Sequence, residues 1–261
     1  MKIFTCEDSY EGKATCIYRA WEYALGLGQG AAGHREVEIL REPIAQLDMF
    51  AEYVHIDGDP VITEKFTRSV RRISPVVYRN VFYSLLSDCD EAVDAVYRYL
   101  ILAFRKGSRV EHMLIQPEVM QVMELSRNVS NESHKFREMA RFTSVDRKVY
   151  VCHIEPKCDV SMLVADHFAD RMPSEHWIIV DDGRRTAVIH PADGDMYVRQ
   201  LTDEEFTVLG CAEYVEDDYT DMWRAFFRAI TVEERRNYRC QRNLFPIWVR
   251  KHATEFMQRD Q

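Results

Sequence analysis

The chain has 261 residues, enough for one large domain or two small ones with a real core. Its 46% apolar and 30% charged content fits an ordinary globular protein, and no apolar run approaches the roughly 18 residues that span a bilayer. A net charge of −9 excludes a wholly basic nucleic-acid coat protein, but not the local basic patch that phosphate contact requires.

Seven cysteines, an odd number with no C-x-x-C pair, fit a reduced cytoplasmic protein better than a disulfide framework. Residues 1–7 lack the apolar segment of a signal peptide, so a cytoplasmic location without a membrane partner is expected.

In chain order, Ile3 to Glu7 reads as an opening strand. Asp8 as cap, with Glu11 three residues on, predicts a helix to about Leu25. Its apolar residues Ala14, Ile17, Tyr18, Trp21 and Leu25 keep helical spacing. Residues 28–33 match G-x-G-x-x-G literally. A dinucleotide site needs that motif after a strand and opening a helix, whereas here it follows a helix and precedes a strand. It reads as a connecting loop.

Strands are predicted near 36–40 and 53–56, then a turn and helix start at Asp57-Gly58-Asp59-Pro60. Residues 60–140 read as helical, with breaks at Ser74-Pro75, 87–90 and 106–108. From Arg141 the period changes to two. Strands are expected at 149–154, 177–180 and 186–190, with a helix over 159–172 capped by Asp159. A turn at Asp193-Gly194-Asp195 joins 187–190 to 197–201 as a hairpin. The rest, from Asp203 to about Phe256, reads as helical.

The expected class is therefore α+β, with a central mixed or antiparallel sheet, a helical insert and C-terminal helices. One module is expected, divided as a βαββ start over 1–57, the insert over 60–140, strands with one helix over 141–201 and basic helices over 203–257.

Chemistry-bearing residues concentrate in two places. Residues 164–185 set His167, Asp170, Arg171, Asp181, Arg184 and Arg185 around the apolar strand Trp177 to Val180, and charges beside buried segments must be paired or used. On the 159–172 helix, Asp166, His167, Asp170 and Arg171 share one arc. Asp170 can orient His167 for proton transfer or phosphate contact, although a solvated face of ordinary ion pairs has the same spacing. Upstream, Arg127, Asn131, His134, Glu138 and Arg141 form a narrow polar stripe, which lines a groove or faces water.

Between Trp223 and His252, eight cationic side chains stand against two carboxylates. The run Arg235-Arg236-Asn237-Tyr238-Arg239-Cys240-Gln241-Arg242 supplies the types that contact phosphates and base edges. The competing reading pairs these arginines with Glu213, Glu216, Asp217, Asp218 and Asp221. Trp223, Phe226, Phe227 and Ile230 predict a core-facing stripe that docks the helix carrying them. Arg68, Arg71, Arg72 and Arg79 form a second basic patch. No metal site is expected, since Cys152, His153 and Cys158 match no zinc spacing, and no cofactor motif or G-x-S-x-G nucleophile is present.

These motifs resemble a bacterial family of unassigned activity linked to DNA metabolism and repair. The resemblance extends over nearly the whole length. Its residues are Asp8-Ser9-Tyr10-Glu11-Gly12, His134-Lys135-Phe136, Arg141-Phe142, Glu155-Pro156, Asp166 to Arg171 with Pro173, Trp177-Ile178-Ile179, Asp181 and Arg184-Arg185. Toward the end they are Trp223, Phe226-Phe227, Ile230, Glu233, Arg235, Asn237, Gln241-Arg242, Pro246 and Trp248. The chain departs at Val180, where the family commonly has His, at Ile247-Trp248, where it usually reads Arg-Tyr-Trp, and before Ser9, where a glycine is missing.

The resemblance implies work on DNA beside a radical-SAM protein. Related domains also occur fused to a uracil-DNA glycosylase-like domain. The chain lacks a cluster-ligating triple-cysteine motif, so radical chemistry would belong to the partner.

Residues and resemblance together predict a DNA-associated accessory protein. Arg235, Arg236, Arg239 and Arg242 are expected on phosphates, and Arg171, Arg184, Arg185 and Gln241 are expected to bind nucleic acid with them. His134, His167, Asp170, Arg171 and Arg185 are expected to line one polar pocket, with His134, His167 and Asp170 as the catalytic candidates. The alternatives are an enzyme acting on a phosphate ester or glycosidic bond, and a protein adaptor without DNA affinity.

Overall fold

The computed structural model describes residues 2–28, 30–44, 46–146, 148–212, 218–235 and 237–256. The chain forms two compact units, Met1–Ser130 and Asn131–Gln261. The α+β class holds, with the strands shared between two sheets.

The first unit carries strands β1 (Lys2–Cys6), β2 (Val37–Arg41) and β3 (Glu52–His55), all parallel in the order β2-β1-β3. Ile3, Phe4, Thr5 and Cys6 are buried, as a central parallel strand covered on both faces requires. Helix α1 (Tyr10–Gly26) is capped by Ser9, whose Oγ accepts from the Gly12 amide at 2.9 Å. Asp8, the expected cap, lies 2.5 Å from Lys13 Nζ and 3.0 Å from Arg41 Nη1 instead. Buried Lys13 needs that carboxylate, together with the Leu85 carbonyl 2.8 Å away.

Residues Gly30–Glu36 form a 3-10 turn leading into β2, so the glycine run is a connection between helix and strand. A Cβ on Gly33 would meet the Ala24 carbonyl oxygen at 2.4 Å, a close approach that only glycine permits. Helices α2 (Pro60–Arg71) and α3 (Pro75–Leu85) start at the expected caps, Asp59 and Ser74, each followed by proline. Helix α4 (Ala92–Lys106) lays Val93, Val96, Tyr97 and Leu100 into the core with α1 and β2. Helix α5 (Pro117–Met139) has residues 117–130 in this unit and 131–139 in the next.

The second unit carries β4 (Thr143–Val145), β5 (Val149–Ile154), β6 (His176–Asp181), β7 (Thr186–His190) and β8 (Tyr197–Gln200), in that order. Only β5 and β6 are parallel, because helix α6 (Ser161–Arg171) crosses between them. Trp177, Ile179 and Val180 are fully buried, and the Trp177 indole stacks on His190 with ring centres 4.6 Å apart. The N-cap position of α6 is Val160, with no side-chain cap bond, rather than Asp159.

Helices α7 (Asp203–Ala212), α8 (Asp218–Ala229) and α9 (Tyr238–Leu244) follow, then a 3-10 turn, Ile247–His252. The stripe expected to dock α8 is not core: Phe226 and Ile230 are more than half exposed, and Phe227 and Ile230 line an open cleft. Among the described residues, no helix is long and apolar enough to cross a membrane.

Candidate functional site

The charged end of β6 is built into the fold. Asp181 is 1% exposed; its Oδ2 accepts from Ser161 Oγ at 3.1 Å and from Arg184 Nη1 at 3.2 Å, and its Oδ1 accepts from the Arg184 amide at 3.1 Å. Arg184 also donates to the carbonyls of Pro156 and Lys157. Its donors therefore hold the loop that leads to α6. Arg185 sits at φ 54° in the β6–β7 turn, pairs with Asp203 and lies over the Phe206 ring.

Helix α6 runs back against its parallel strands. Its first turn lies beside Asp181, and its end lies at the start of β6, where the Trp177 Nε1 group donates to the Met172 carbonyl at 3.2 Å. His167 is half-buried there, in the field of Arg171, Arg137, Asp170 and His134. Burial, then the two guanidiniums, push its pKa below the ordinary histidine value. His134, Asp170 and Arg171 are exposed. The structure thus gathers His134, His167, Asp170 and Arg171 on one open face and sets Arg184 and Arg185 apart at the other end of α6.

A partly buried cluster missed from the sequence lies at the β6–β7 turn. His153 Nδ1 is 2.8 Å from Asp182 Oδ1, and its Nε2 is 3.1 Å from the Leu209 carbonyl. His252 Nε2 lies 3.3 Å from Asp182 Oδ2. Both ring nitrogens of His153 face oxygen atoms, which fixes the ring between β5, the turn and α7. Residues from β5, the turn and the far C-terminus meet here, and no local spacing signals that.

A concave cleft lies between α8, α9 and the 3-10 turn, with a volume of about 940 Å³. Arg228, Arg235, Arg242 and Arg250 line it, with Asn237 and Gln241; Phe227, Ile230, Ile247 and Phe256 supply apolar wall. Asn237 caps α9 by accepting from the Cys240 amide at 3.0 Å, which starts the helix that presents Gln241 and Arg242. Arg239 is exposed on the same helix outside the lining, and Arg236 lies outside the described residues.

Among the described residues, the side chains of Arg228, Arg235, Arg239 and Arg242 make no ion pair or hydrogen bond. Of the carboxylates expected to neutralise them, Asp221 pairs with Arg224 at 3.6 Å; residues 213–217 lie outside the described residues. Arg250 is wedged against the Phe245 and Phe256 rings and donates from Nε to the Phe245 carbonyl at 2.8 Å. Its Nη2 is buried without a hydrogen-bond partner. A buried unmade hydrogen bond is costly, more so on a charged group.

The one carboxylate in the lining, Glu255, is already engaged. It takes Arg141 Nη2 at 2.8 Å and Nε at 3.3 Å, and the Trp223 indole N–H at 3.1 Å. Burial works to raise its pKa, but the Arg141 bonds prevail and hold it below the ordinary carboxylate value. The cleft therefore keeps a positive balance over an apolar wall, a combination that accepts a phosphate beside a flat organic group. Among the described residues, no group of His, Cys, Asp and Glu could hold a metal ion.

The model of a family defined by a domain of unknown function, DUF4130, matches residues 90–255. The chain belongs to the DUF4130 family. No curated protein and no solved structure matches it. The DUF4130 match takes in the described cleft except Phe256, the α6 face and the His153 cluster. It starts after β1, β2 and β3, so the opening motif at Asp8 to Gly12 lies outside it.

Proposed function

We propose that this protein is a DNA-associated accessory factor that binds the phosphate backbone in the arginine-lined cleft and acts beside a radical-SAM partner in DNA repair or modification. One observation carries the binding half. Four guanidiniums share a cleft with a single, already engaged carboxylate. The resemblance to a DNA-repair-linked family supports the partner half. The face that carries His134, His167 and Asp170 is open, with His167 half-buried and the other two exposed, which gives the stand-alone enzyme reading little support.

Fluorescence anisotropy with labelled DNA at low salt tests the binding. Affinity should fall as salt rises, with a log–log slope of about −3 if the four arginines each displace a counterion. Arg242→Ala combined with Arg228→Ala should weaken binding by about tenfold or more. Absent binding, or affinity that ignores salt, would refute the reading; co-purification with a radical-SAM protein in that case would favour an adaptor.

A further inference from the structure

The turn Ile247–His252 sorts its residues into three faces, because in a 3-10 helix side chains i and i+3 eclipse. Ile247 and Arg250 face the arginine cleft. Val249 is buried, and His252 points inward to Asp182. Trp248 and Lys251 form the third face, outside the cleft.

On that face the indole is 37% exposed and is backed edge-on by Phe136, with ring centres 5.8 Å apart. The Lys135 and Lys157 ammonium groups lie 5.8 and 5.9 Å from its ring centre. Lys251 stands one turn on, 2.6 Å from Glu155. The other nearby acid, Glu132, is buried and accepts from the Lys157 and Cys158 amides, so it is turned to the loop backbone. An indole held in place by a second ring and flanked by cations is the pattern by which flexible polyanions with flat side groups are bound.

We propose that Trp248 is a stacking platform for an unpaired base of single-stranded nucleic acid, with the backbone crossing the turn between this platform and the arginine cleft. The proposal rests on the phosphate-binding reading and sharpens it. In a duplex both faces of each internal base are covered by neighbours, so only an unstacked base can lie on the indole. Trp248 and Arg250 are two residues apart on adjoining faces of one turn, which lets a single strand reach both.

The test compares labelled oligo(dT), a base-free phosphodiester oligomer of equal length and a duplex. Wild-type protein should prefer oligo(dT) over the base-free oligomer by about tenfold and bind the duplex more weakly. Trp248→Ala should lose that preference while binding the base-free oligomer as wild type does, which also reports an intact fold. Trp248→Phe should keep part of the preference, and the indole emission that oligo(dT) quenches in wild type should be missing from its response.

Equal wild-type affinity for oligo(dT) and the base-free oligomer would overturn the platform and leave the arginine cleft standing. So would a preference that survives Trp248→Ala, or equal quenching in Trp248→Phe. Failure of wild type to bind any of the three polymers would remove both readings.

Discussion

Two arginines of the first unit and three that border the cleft of the second have opposite fates. Arg98 donates to the His34 and Val37 carbonyls and pairs with Asp94 at 3.1 Å, and Arg41 joins Asp8, Asp90 and the Asp88 carbonyl. Arg98 staples helix α4 to strand β2, and Arg41 staples β2 to neighbouring loops. Arg228, Arg235 and Arg242 have no such partner among the described residues and border a cleft instead. A guanidinium becomes structural when a carbonyl or carboxylate lies within reach, and becomes available to a ligand when none does. Arg184 shows that the rule is local, since it belongs to the second unit and is a staple.

That contrast can be broken by substitution. Arg184→Ala leaves Asp181 charged and buried, and should cost about 3 kcal/mol in denaturant unfolding while sparing DNA affinity. Arg98→Ala uncovers two carbonyls and Asp94 and should cost about 2 kcal/mol by the same measurement. Glu255→Gln should cost about 1.5 kcal/mol by weakening the Arg141 bonds, and should tighten DNA binding by removing the carboxylate from the cleft.

The acid side of the stability profile sharpens the same point. The Glu255 pKa is depressed on folding, so its contribution is full above the ordinary value of 4.5 and is lost as pH falls through the depressed folded value. Thermal unfolding followed on acidification should show that loss in wild type and not in Glu255→Gln. Arg242→Ala, with no partner to lose, should shift stability by under about 0.5 kcal/mol. A large shift would mean that Arg242 is a staple after all.

Much of the fold was legible where local chemistry decides it. Asp59-Pro60 and Ser74-Pro75 start helices because cap and proline act within one turn. The strand Trp177 to Val180 is apolar without interruption because neighbours cover it on both sides. Asp8 and Ser9 can each cap, and the choice falls to Ser9 only because Lys13 is buried beside Asp8.

The site was legible in part. Helical spacing placed His167, Asp170 and Arg171 on one face, and composition pointed to the C-terminal arginines. Spacing could not say that the Arg184 partners come from the loop at Pro156 and Lys157. A core stripe and a cleft wall share one period, so Phe227 and Ile230 read as core. The turn at 247–252 repeats every three residues, which hid the pairing of Trp248 with Lys251.

The family match opens at residue 90, inside the first unit, and this has a practical consequence for excised fragments. A piece cut there would keep α4 but lose β2 and α1, which cover Val93, Val96, Tyr97 and Leu100. That apolar flank would face water and invite aggregation. Cutting at 131 instead severs α5 in mid-helix. The matched stretch is therefore not a free-standing piece: it borrows part of its cover from residues 1–89.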